Sequence, residues 1–133
     1  MAKGYNQKHM IDYEKVYALV PRLETIRLII VTTAQHRWRI YQMDVKSTFL
    51  NGFLEEEIYI EQPMSYEVKG HENKVLKLNK VLYGLKQTPR AWYSRIDGYF
   101  LKNGFVKCPY ESVIYVKFKE SGDTLIVCLY MVT

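Results

Sequence analysis

The chain has 133 residues, 48% of them apolar, with 19 Lys and Arg against 14 Asp and Glu for a net charge of +5. That is enough for one domain with its own core and too little for two. Two cysteines, Cys108 and Cys128, exclude a disulfide framework and a cysteine metal site, and no apolar run approaches the ~20 residues of a membrane span. With no leader segment evident, the sequence reads as intracellular and not secreted. Residues 1–50 carry eight Lys/Arg against four acids and residues 74–119 ten against two, while 51–73 hold six Glu and a single Lys. Two basic blocks around an acidic one suit a chain with one surface facing a phosphate backbone, or ordinary solvated lysines. His9, His36 and His71 are too scattered for a zinc site.

In chain order, Pro21 leads into a helix over 22–35, where Leu23, Ile26, Ile30 and Ala34 recur at three- and four-residue spacing. Arg22, Glu24 and Arg27 form its outward face. Period-two alternation from Trp38 predicts a buried strand that starts near Arg39 and sets Asp44 on one face with Gln42 and Lys46. A carboxylate at the end of such a strand suits a divalent metal, or caps the following turn. Asn51-Gly52 marks a turn. A short strand follows over 55–61, with Glu55, Glu56 and Glu57 on a solvated edge, since consecutive strand residues cannot converge on one ion. Residues 64–73 read as a loop and 74–78 as another strand.

Thr88 is placed to cap a helix over 89–103, with Pro89 at its first position, Trp92, Ile96, Tyr99 and Phe100 on one face, and Asn103-Gly104 ending it. Gly84, in the loop that enters this helix, leaves room for a substrate to approach the backbone. Lys86, Gln87 and Arg90 gather at the positive helix terminus, either as an anion site or as scattered charge on a surface helix. Residues 112–119 alternate as a strand, Glu120–Asp123 makes a turn, and the apolar run 124–130 fits a central strand. Two helices alternating with short strands predict an α+β fold in which both helices pack on one face of an antiparallel sheet.

The stretch Asp44-Val-Lys-Ser-Thr-Phe-Leu-Asn-Gly52 resembles the first catalytic motif of copia-type LTR retrotransposon reverse transcriptases. Tyr83-Gly-Leu-Lys-Gln-Thr-Pro-Arg-Ala-Trp-Tyr93 resembles a second motif of that family, which lies under the template and incoming nucleotide. Met1-Ala-Lys-Gly-Tyr-Asn-Gln7 and Ile11-Asp-Tyr-Glu14 agree with the segments leading into the first. Ala18-Leu-Val-Pro-Arg22 departs from the common Ala-Pro-Val-Ala-Arg pattern. The resemblance covers essentially the whole chain and implies a single partial polymerase domain, with residues 1–20 a remnant of the fingers and 21–133 mostly palm. It implies that Asp44 is a metal-binding catalytic carboxylate and that Phe49 is the steric gate reading the sugar 2′ position. Gly84, Lys86, Gln87 and Arg90 become template or nucleotide contacts, Mg²⁺ or Mn²⁺ the cofactor, and an RNA/DNA primer–template the partner.

The same resemblance exposes a gap. The family follows the strand at 124–130 with Tyr-x-Asp-Asp, and here the residues are Tyr130-Met131-Val132-Thr133. Nucleotidyl transfer of this class uses two divalent ions about 4 Å apart, held by three carboxylates of which Asp44 alone remains. The expectation is therefore a reverse-transcriptase fragment that is inactive, with metal binding weak or absent. The alternative is a non-catalytic nucleic-acid-binding or interaction module made from the same domain. A single-base deletion would give this ending, since TAT ATG GAT GAC without the A of GAT reads Tyr-Met-Val-Thr; the alternative is an intron boundary or sequence end that falls beside the motif. Restoring one base after the Met131 codon in genomic DNA is expected to reopen a frame running through Asp-Asp. If no single insertion there does so, the deletion account is wrong.

Overall fold

A computed structural model describes residues 2–14 and 20–131. The α+β expectation holds: two helices, α1 (Leu23–Gln35) and α2 (Thr88–Lys102), accompany five short strands, β1 (Phe53–Ile60), β2 (Leu76–Lys80), β3 (Val106–Lys107), β4 (Ile114–Phe118) and β5 (Thr124–Cys128). All pairing between these strands is antiparallel, divided between a β1–β2 ribbon and a three-stranded sheet in the order β3-β4-β5. The chain forms two compact units, and both are discontinuous in sequence. The first comprises residues 1–17 and 47–95, the second 18–46 and 96–133, with the boundary inside α2.

In the first unit, Tyr13, Val81, Leu85 and Trp92 are buried, together with Gln87 and Thr88. Close backbone approach fixes two of its glycines. A Cβ at Gly4 would lie 1.8 Å from the Gly84 carbonyl oxygen, and one at Gly52 3.0 Å from the Trp92 nitrogen. Gly52 has an ordinary extended φ of −73°, so the turn expected at Asn51-Gly52 is made instead by a 3₁₀ segment, Thr48–Asn51. Ser47 before it carries the left-handed φ of 53°.

The second unit is built around Tyr115 of β4, which is fully buried. Its ring stacks on Phe100 of α2 with centroids 4.8 Å apart, and its hydroxyl donates to Asp97 Oδ1 at 2.5 Å. Lys107 of β3 pairs with the same oxygen at 2.8 Å. The helix stops as expected: Gly104 takes φ 79°, its N–H bonds the Leu101 carbonyl, and the Phe105 N–H bonds the Phe100 carbonyl. Phe105 then packs on Phe100 at 5.0 Å, the apolar contact that accompanies this kind of helix end.

Three expectations change in this unit. Residues 38–45 form no strand; they run exposed and without secondary structure, and Asp44 is exposed with them. Alternating side chains define a strand only where a neighbour completes the backbone ladder, and among the described residues no strand pairs with this segment. The segment is nonetheless tied to the strand end, because Gln42 Nε2 donates to Tyr130 Oη at 2.9 Å. Second, β5 is an edge rather than a central strand, since β4 is its one partner among the described residues. Third, α1 covers Ile26, Ile29 and Thr33, while Leu23, Ile30 and Ala34 of the expected face are exposed. The helix is apolar on most sides, so spacing alone does not select the face. One tether on the covered side is the Thr25 hydroxyl, which donates to Glu111 at 3.1 Å.

Tyr115→Phe keeps the ring and removes the hydroxyl. It is expected to cost about 1–3 kcal/mol in urea unfolding, with little change in the denaturant slope.

Candidate functional site

Residues 84–93 sit in the first unit, and a set of long-range hydrogen bonds fixes them. The Ala2 N–H donates to the Tyr83 carbonyl at 2.9 Å, and Gly4 packs on Gly84. Gly84 adopts φ 99°, so it has a conformational need for glycine independent of any substrate. Gln7 reaches across the same turn: its Oε1 accepts the Lys86 N–H at 2.9 Å and its Nε2 donates to Gln87 Oε1 at 3.0 Å. Thr88 does not cap the helix with its side chain. Its hydroxyl donates backwards to the Leu82 carbonyl at 2.8 Å, and Thr88 is itself the first residue of α2.

The cations of this stretch are already engaged. Lys86 Nζ lies 5.4 Å from the centroid of the Tyr13 ring and 3.4 Å from its hydroxyl. Arg90 pairs with Glu55 at 2.8 Å and with Glu56 at 3.4 Å. Two consecutive residues of a regular strand point to opposite faces. Both nonetheless reach the one guanidinium, in a stretch where the β1–β2 register is irregular between Phe53 and Ile58. This correction concerns a guanidinium fork rather than a metal ion, and it makes Glu55 and Glu56 site residues that the strand pattern had set on a solvated edge. Glu57 pairs with Lys77 of β2 at 2.5 Å; the hydrogen bond and charge of Lys77 hold the Glu57 carboxyl below its ordinary range and raise the Lys77 ammonium in return. The depressed carboxyl makes this pair favourable above the ordinary carboxylate range, and the benefit is lost as pH falls through the folded-state value.

Phe49 is partly covered, its ring meeting that of Tyr83 edge-on at 5.5 Å. Asp44 belongs to the second unit and Phe49 to the first. Val132 and Thr133 lie outside the described residues. Among the described residues no group of three or more His, Cys, Asp or Glu is arranged to hold a metal ion. Mg²⁺ is anchored by charged oxygens, and the exposed Asp44 has no second and third carboxylate grouped with it among the described residues, which therefore do not fit a divalent pair. Cys108 and Cys128 are free thiols. Burial, and then the Glu111 charge, push the Cys128 thiol above its ordinary value, which disfavours a nucleophilic role. No helix among the described residues is long and apolar enough to cross a membrane.

The comparisons with known proteins agree on one class. Residues 1–132 match the family model described as reverse transcriptase (RNA-dependent DNA polymerase), and the chain belongs to that family. It is 40% identical over 131 residues to the retrovirus-related Pol polyprotein from transposon TNT 1-94 of Nicotiana tabacum, covering 98% of this chain and 10% of that protein. It is 37% identical over 132 residues to the Pol polyprotein from transposon RE1 of Arabidopsis thaliana, covering 99% of this chain and 9% of that one. Similarity extends to the transposon Ty1-BL Gag-Pol polyprotein of Saccharomyces cerevisiae, 31% over 96 residues, covering 72% of this chain and 5% of that protein. No solved structure matches significantly. The chain thus spans a tenth or less of the length of these relatives.

Removing Arg90 leaves two carboxylates facing each other. Arg90→Ala is expected to cost about 1 kcal/mol at low salt, measured by thermal unfolding. In a Glu55→Gln/Glu56→Gln background the same substitution is expected to cost almost nothing.

Proposed function

We propose that the chain supplies the nucleic-acid-facing middle of an RNA-directed DNA polymerase, with residues 1–20 from the fingers and 21–133 mostly palm, and that these residues do not by themselves sustain nucleotidyl transfer. The observation that carries the reading is the family match over residues 1–132 taken with Val132 and Thr133 at the positions of the family's carboxylate pair. Neither side chain can replace a carboxylate. Asp44 is the remaining candidate ligand, and Mg²⁺ or Mn²⁺ would find too few charged anchors to hold a pair of ions.

In this reading Phe49 stands beside the sugar of an incoming nucleotide, and Gly84, Lys86, Gln87 and Arg90 face the template or nucleotide. The chain works inside the cell, where free thiols stay reduced. A second reading, an interaction module, draws on the exposed apolar residues of the second unit: Leu28 and Val31 on α1, and Ile40, Tyr41 and Met43 beyond it. Co-purification with an intact homologous polymerase would favour it.

Primer extension with Mg²⁺ or Mn²⁺ tests the first reading. The purified chain is expected to show no extension above an Asp44→Ala control, and any excess would overturn the proposal. Binding to a labelled primer–template is expected to persist at low salt and to disappear as salt rises.

A further inference from the structure

We propose that the pocket between the start of β1 and the first two turns of α2 is a phosphodiester subsite for a single nucleic-acid strand, held by Arg95, Lys80 and the amide of Gln87. The proposal rests on the reading that the chain faces nucleic acid, but it uses neither Lys86 nor Arg90. The pocket has a volume of about 170 Å³ and is lined by Phe53, Glu55, Glu56, Gln87, Arg90, Ala91, Ser94 and Arg95, all in the first unit.

The first observation is a donor without an acceptor. Gln87 is 1% exposed and its Nε2 has no hydrogen-bond partner. The orientation of this amide follows from its neighbours. Lys86 N–H can only donate, so Gln7 must present Oε1 to it. Gln7 is then left with its NH₂ group for Gln87, which must answer with Oε1. Nε2 is therefore the free end, and a buried donor of this kind calls for an oxygen.

The second observation is charge. Arg90 is spent on Glu55 and Glu56. Arg95 and Lys80 have no carboxylate partner among the described residues; both lie against the Phe53 ring, at 4.9 and 5.6 Å from its centroid. Lys80 is brought there by the register, in which Phe53 pairs with Lys80 across the ribbon. The lining charges of Glu55, Glu56, Arg90 and Arg95 cancel, and Lys80, which does not line the pocket but lies against its Phe53, adds one positive charge. That matches the single negative charge of a phosphodiester and is too little for a triphosphate. The Ser94 hydroxyl and the positive start of α2 favour the same ligand.

The test is fluorescence anisotropy of the full chain with a short dye-labelled single-stranded RNA, over a range of salt. Lys80→Gln and Arg95→Gln alter exposed side chains, and circular dichroism confirms that they fold. Each is expected to weaken binding several-fold and to reduce the slope of log affinity against log salt by roughly 0.7. Gln87→Met is expected to weaken binding with the slope unchanged, because it removes a neutral donor. An RNA with methylphosphonate linkages is expected to bind wild type and the two charge variants alike. If the RNA binds and Lys80→Gln and Arg95→Gln match wild type, the subsite is wrong and the nucleic-acid reading stands. If inorganic phosphate binds in an Arg95-dependent way while RNA does not, the site takes the free ion and the proposal is overturned. If neither binds, the subsite and the nucleic-acid reading fall together.

Discussion

One buried phenol organises the second unit. Tyr115 lies on the central strand of a three-stranded sheet, where its ring takes up Phe100 and its hydroxyl takes up Asp97. Asp97 also holds Lys107, so one carboxylate joins α2, β3 and β4. A buried polar group of this kind is useful only when every member is satisfied. The chain meets that condition by putting the carboxylate on the helix and the cation on a two-residue strand. The same cluster fixes the end of α2, because Phe105 closes the helix by packing edge-on against Phe100.

The first unit depends on polar rather than aromatic matching. Its stretch at 83–93 holds two cations and both are engaged internally, Arg90 by two glutamates and Lys86 by a tyrosine, while Lys77 of β2 pairs with Glu57. What a basic helix terminus offers a polyanion is therefore decided by the neighbouring strand. Glu55 and Glu56 both reach Arg90 where the β1–β2 register is irregular, and the cations that meet aromatic rings rather than carboxylates are Lys86, Lys80 and Arg95.

Much of the fold was legible in the sequence. The limits of α1 and α2, the glycine stop at Gly104, and the hairpin at Glu120–Asp123 all follow from local chemistry that needs no partner to be read. The rest required neighbours. Alternation from Trp38 to Lys46 is the pattern of a strand, but a strand also needs a ladder, and the sequence does not say whether one is supplied. The apolar run of β5 reads the same with one neighbour or two. Leu23 and Ile30 sit at helical spacing on a helix that also carries Leu28, Ile29 and Val31, so periodicity found the helix and not its covered side. At the site, the motif at 83–93 pointed to Lys86, Gln87 and Arg90. The engagement of Arg90 by two adjacent glutamates is a contact between β1 and α2, which leaves no local sequence signature.

The interleaving of the two units carries a consequence for how the chain comes into being. Residues 18–46 leave the ribosome early, yet the partners that complete their unit begin at residue 96. The first unit, by contrast, has all of its parts once residue 95 has emerged. At roughly 5–20 residues per second, α1 and the apolar segment after it wait several seconds for the sheet they belong with. They do so as a looped-out insertion between two pieces that can already associate. Vectorial synthesis thus gives the first unit a head start, and it leaves α1 and the Asp44 segment waiting for the partners of their own unit.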